Sequence, residues 1–110
     1  MSKKEKFYIA SDNIFVDLGL PHPERLLARS NMMIRIEKII REKGWTQKQA
    51  AKVLGVPQSK VSCLMHGKIS MFSMDLLLEM LNALDRNVQI IIKPKSKNEK
   101  FATTQVLVVA

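Results

Sequence analysis

Cysteine occurs once in this chain, as Cys63. No internal disulfide can form, which fits a reducing cytoplasm and argues against a disulfide-stapled secreted scaffold. Aromatic residues are scarce, at 5% of 110 positions, so leucine, isoleucine and methionine carry the core. That composition suits helices better than β-sandwiches. No apolar run approaches the roughly 20 residues needed to span a bilayer. The start, Met1-Ser-Lys-Lys-Glu-Lys6, is followed by no apolar h-region, so no secretory signal is expected. The sequence shows no glycine-rich phosphate loop, no paired catalytic carboxylates and no nucleophile with a base. An enzyme is therefore not expected. Two histidines, His22 and His66, with no Cys/His cluster around them, make no metal site, and no cofactor is implied.

Acid is missing from one long stretch. Between Glu42 and Asp75 there is no Asp or Glu, while Lys43, Lys48, Lys52, Lys60 and Lys68 all lie there. Eighteen basic against ten acidic residues give a net charge of +8, and the purely cationic segment concentrates that excess. A chain so charged is drawn to phosphate, in nucleic acid or on anionic membranes. Hydrophobic content of 46% predicts a packed fold, and 110 residues make one domain with no room for a separate catalytic one.

Residues 1–20 form a lead-in. Phe7, Ile9, Ile14, Phe15, Val16, Leu18 and Leu20 are placed to pack against a core or a partner, at a spacing that fits neither helix nor strand. Gly19 and the prolines of Leu20-Pro-His-Pro-Glu24 close that segment. A first long helix is predicted over 24–43. Leu26, Leu27, Met33, Ile36, Ile39 and Ile40 recur at helical spacing, with Arg25, Arg29, Arg35, Lys38, Arg41 and Glu42 on a solvated face. Gly44 stops it. Thr46 and Gln49 form a capping box that starts a second helix, ending at Gly55. Pro57 suits the first turn of a third, running to about His66 with Gly67 as its cap. Ser73 caps a fourth, in which Met74, Leu76, Leu77, Leu78, Met80, Leu81 and Leu84 leave little polar face. Val88-Gln-Ile-Ile-Ile92 is β-branched and predicts a strand. A charged linker, 93–100, leads to Val106-Leu-Val-Val109, either a second strand or a loose end. The seven methionines sit mostly at apolar helical positions as core filling.

The spacing of Gln47, Ala51, Gly55 and Val61 has a mechanical reason at each position. Two short helices crossing steeply need a small residue at the crossing, Ala51. The tight turn between them needs left-handed dihedrals, Gly55. The second helix must plug the core, with Val61 joined by Leu64 and Met65. With those inward, Ser59, Cys63 and His66 face out, flanked by Lys60 and Ser62, and Gln58 sits at the helix N-terminus. That end of a recognition helix enters the DNA major groove. The Gln58 amide matches adenine N6 and N7. Ser59 and Ser62 reach bases or phosphates, and Lys60 attracts phosphate. Gln47 fixes register on the DNA backbone. Thr46, Lys48 and Lys68 complete the expected DNA-binding set. Cys63 is expected to be an inert thiol.

The run Thr46-Gln-Lys-Gln-Ala-Ala-Lys-Val-Leu-Gly-Val-Pro-Gln-Ser-Lys-Val-Ser62, followed by Gly67, resembles the lambda-repressor-like, or Xre-type, helix-turn-helix family. The resemblance implies a mainly α bundle of four to five helices with a C-terminal β-strand. Asp12-Asn-Ile-Phe-Val-Asp-Leu-Gly-Leu20, Gly67-Lys-Ile-Ser-Met-Phe-Ser73 and Val88-Gln-Ile-Ile-Ile-Lys-Pro94 are similar to a narrower group, the HigA-like antitoxins. Those are encoded beside RelE/HigB-type or phage Gp49-like toxins. That match, over about residues 12–94, implies an antitoxin that represses its own operon and blocks an mRNA-cleaving toxin. Relatives often carry basic residues where this chain has Cys63 and His66, so contacts from those two positions depart from the family pattern.

The expected organisation is a lead-in (1–20), a DNA-binding domain (21–86), a dimerisation strand (87–93) and a charged linker with tail (94–110). In the dimer, residues 88–92 pair with their own copy across a two-fold axis. An internal hairpin of 88–92 with 104–109 is the alternative. Functional alternatives are a stand-alone phage-type regulator without a toxin, and a protein-interaction adaptor on the same fold.

Overall fold

A computed structural model describes residues 7–8 and 14–109 of the chain. Ile9, Asp12 and Asn13, named above in the lead-in, lie outside the described residues. In chain order the elements are β1 (Phe7–Tyr8), α1 (Ile14–Asp17), α2 (Pro23–Lys43), α3 (Gln47–Leu54), α4 (Gln58–Met65), a single 3-10 turn (Ile69–Met71), α5 (Met74–Ala83) and β2 (Val108–Val109). The fold is mainly helical, with a short helix, α1, inside the lead-in.

The core is built where helical spacing places it. Met32, Met33, Ile36, Ile39 and Ile40 of α2 meet Ala50, Ala51 and Leu54 of α3, Val61 and Leu64 of α4, and Leu77, Met80 and Leu81 of α5. Phe72 and Leu84 complete it from the flanking turns. Residues three and four apart share a helix face, so each helix presents one apolar stripe to this common centre. Trp45 packs on the cluster from the α2–α3 turn.

Several boundaries differ from the sequence reading. α2 begins at Pro23, behind His22 in a left-handed conformation (φ 50°), because proline needs no amide partner in a first turn. Pro57 is the N-cap of α4, in an extended conformation, rather than a residue of its first turn. The polar face of α2 is not uniformly solvated. Arg29 is half-buried, and its Nε is buried with no hydrogen-bond partner. α5 is covered by its own chain. Met74, Leu76 and Leu78 are half-buried against the core, and Asp75, Glu79, Asn82 and Ala83 point to solvent. Its apolar surplus thus packs in large part within the chain. In the lead-in, Val16, Leu18 and Leu20 are exposed.

The C-terminal third also departs from expectation. Residues 88–92 form no strand in the single chain. Ile90, Ile91 and Ile92 are 73%, 79% and 91% exposed. The internal hairpin with 104–109 is not formed. Instead β2 pairs antiparallel with β1, Phe7 opposite Val109 and Tyr8 opposite Val108. Val106 packs against the helical core on the way. The tail's ladder partner is thus the N-terminal segment, and no backbone hydrogen bond is described for residues 88–92.

Candidate nucleic-acid interface

The α3–α4 pair is held by local chemistry at each end. Thr46 is the N-cap of α3, and its hydroxyl accepts from the Gln49 amide at 3.1 Å. The Gln49 side-chain oxygen accepts from the Thr46 amide at 2.8 Å. Two otherwise unpaired amides are satisfied reciprocally. Gly55 closes the helix at φ 70°, a left-handed conformation that side chains with a Cβ rarely adopt. The turn then returns through Val56, whose amide donates to the Ala51 carbonyl at 3.1 Å. Val61 is fully buried, so its helix can take only one rotation about its axis.

That rotation sorts the expected contact residues. Gln58 and Ser59 are exposed in the first turn of α4. Thr46 and Lys48 are exposed at the start of α3, with Gln47 half-buried between them. Lys68 is exposed beyond α4. Gln47, Lys48, Gln58 and Ser59 thus lie in the first turns of α3 and α4, where the helix dipole adds positive character, and Lys68 follows the C-terminal end of α4.

Other expected residues are less available. Cys63 is half-buried and packs against the core, so it does not face out as the 100° step suggests. Ser62 is half-buried. His66 is exposed, but its Nδ1 donates to the Ser62 carbonyl at 2.8 Å, folding the ring back on its own helix. Lys60 is half-buried; its Nζ donates to the Met71 carbonyl at 3.0 Å and lies 5.4 Å from the centroid of the Phe72 ring. The sequence reading missed Phe72 as a core residue. Its signal was weak, one aromatic in a Ser- and Met-rich turn with no period. Lys43 and Lys52, exposed in the last turns of α2 and α3, add to the cationic surface and enter the sequence analysis only as charge.

Among the described residues, no group of three or more His, Cys, Asp or Glu is placed to hold a metal ion. No helix there is long and apolar enough to cross a membrane.

Residues 14–93 match a family model described as a helix-turn-helix domain. A solved structure described as an XRE family transcriptional regulator is 32% identical, with a TM-score of 0.74. The likeness covers 80% of this chain and 99% of that one. No curated protein matches. The motif geometry, the cationic surface and both likenesses agree: the chain belongs to the Xre-type helix-turn-helix family of DNA-binding transcriptional regulators.

Proposed function

We propose that the protein is a sequence-specific repressor that binds its own operator as a homodimer. The observation that carries the reading is the exposed N-terminal turn of α4, with Gln58 and Ser59 free and Val61 locking the helix behind them. Gln58 reads a base edge through its amide. Ser59, Gln47, Thr46, Lys48 and Lys68 hold phosphates and set register. Ser62, Cys63 and His66 contribute less, since each is partly buried or turned back on the helix.

The dimer reading is supported by the exposed β-branched segment. A short recognition helix reads only a half-site, and two half-sites lie about 34 Å apart on one face of DNA. Residues 88–92 pair antiparallel with their own copy, which satisfies the open backbone and covers Ile90 to Ile92. Footprinting on the chain's own promoter tests the repressor reading. Two protected half-sites one helical turn apart support it, and protection no different from that on unrelated DNA sinks it.

A finer reading is the antitoxin of a type II toxin–antitoxin pair, acting in the cytoplasm against a RelE/HigB-like toxin. It is supported by the resemblance over about residues 12–94 and by the exposed apolar side chains of Val16, Leu18 and Leu20, which suit a protein partner. Co-expression with the product of the adjacent gene should relieve growth arrest caused by that product alone. A harmless neighbour, or two proteins that fail to co-purify, leaves the stand-alone regulator.

A further inference from the structure

Lys60 carries a positive charge in the first turn of the recognition helix, the usual place for a phosphate contact. Its surroundings give it another task. The ammonium donates to the Met71 carbonyl at 3.0 Å and stands over the Phe72 ring at 5.4 Å. Phe72 is fully buried in the core, so the ring is a fixed platform. A cation over a ring face is held by the ring quadrupole, and its methylene stem packs alongside.

The segment between the two ends of this contact is itself bonded to the far end of α4. The Gly67 amide donates to the Leu64 carbonyl and the Lys68 amide to the Cys63 carbonyl, each at 3.0 Å. The Met71 amide then donates to the Lys68 carbonyl at 3.1 Å and the Phe72 amide to the Ile69 carbonyl at 3.0 Å. The turn leaves the C-terminal end of α4, runs back alongside it and is tied to the N-terminal turn by Lys60. Lys68 and Ser70 are exposed on that turn.

We propose that Lys60 is a positioning residue for DNA recognition, bracing the 66–72 turn against the recognition helix so that Lys68 is presented to the phosphates, rather than a phosphate ligand itself. The proposal rests on the DNA-binding reading, and the two can fail separately. A phosphate ligand and a brace differ in their salt signature. Each phosphate neutralised by a lysine contributes about 0.9 to the slope of log K against log salt. A brace contributes affinity through geometry: without it Lys68 still neutralises its phosphate, but from a turn that must be ordered on binding, so affinity falls while the slope stays.

The test compares wild type, Lys60→Met, Lys60→Arg and Lys68→Ala on operator and random duplex across a salt series, with thermal unfolding of each. Methionine keeps the stem and removes the charge. Lys60→Met should lower Tm by on the order of 4 °C, as for one such contact in a domain of this size. It should weaken operator binding roughly three- to tenfold with the slope unchanged, the scale of one ordinary intramolecular hydrogen bond. Lys60→Arg, which can both donate and stack, should restore most of the affinity. Lys68→Ala should flatten the slope by about 0.9 and leave Tm alone. A Lys60→Met slope flattened like that of Lys68→Ala, with unaltered Tm, overturns the proposal in favour of a phosphate ligand. A lower Tm with operator affinity intact overturns it in favour of a purely structural contact. A wild-type protein without salt-dependent duplex binding overturns the DNA reading itself, and shows this before any variant is compared.

Discussion

Thr46 and Gln49 bond to each other's backbone amide in both directions, at 3.1 and 2.8 Å, and so fix where the first helix of the DNA-binding pair begins. Gln47 and Lys48 follow directly on that start, and the proposed contacts of both with DNA depend on it. Thr46→Ala removes the N-cap acceptor and should cost about 1 kcal/mol of stability. Gln49→Ala should cost less, because it leaves the Thr46 hydroxyl bond in place. Chemical denaturation of both variants checks the order. Equal and negligible losses would mean that the tertiary packing of Ala50, Ala51 and Leu54 sets the helix start without help from the cap.

A stabilising change is expected at the end of α5. Asp85 sits at φ 60°, one of two non-glycine residues with positive φ among those described. Its amide donates to the Asn82 carbonyl, and the Arg86 amide to that of Leu81, as in a helix stop that favours glycine. An acidic side chain there also faces the negative end of the helix dipole. Asp85→Gly should therefore raise stability, by about 0.5–1 kcal/mol. A melting temperature that falls would show that the Asp85 side chain makes a compensating contact.

The helical part of this fold was legible in the sequence because its signals are local. Capping residues, glycine stops and apolar spacing each act within one or two turns, and Thr46, Gly55 and Ser73 fell where they were expected. In the candidate site, the exposure of Gln58 and Ser59 was legible, because burying Val61 turns them outward by geometry alone. What escaped was non-local. The β1–β2 pairing joins chain ends a hundred residues apart, and no periodicity announces it. Lys60 looked like an outward cation because helical spacing says nothing of a carbonyl eleven residues on and a buried ring twelve residues on. Cys63 looked exposed because the angular step ignores how far the neighbouring turn reaches around the helix.

The proposed dimer rests on the 88–92 segment, which is exposed and forms no strand within the single chain. Ile90→Pro removes a ladder donor and bends the segment, and should yield monomers with weak operator binding. Sedimentation of both proteins at micromolar concentration decides it. A wild-type monomer, or a proline variant that stays dimeric, would sink the strand-mediated dimer.

The central claim is that the exposed turn of α4 reads DNA sequence through Gln58. The most direct measurement is a titration of wild type and Gln58→Ala on operator and random duplex at matched salt. If Gln58 reads a base, the variant loses about 1–3 kcal/mol on the operator and almost nothing on random DNA, with an unchanged salt slope. Equal losses on both duplexes, or none on either, would contradict it and remove Gln58 from base readout.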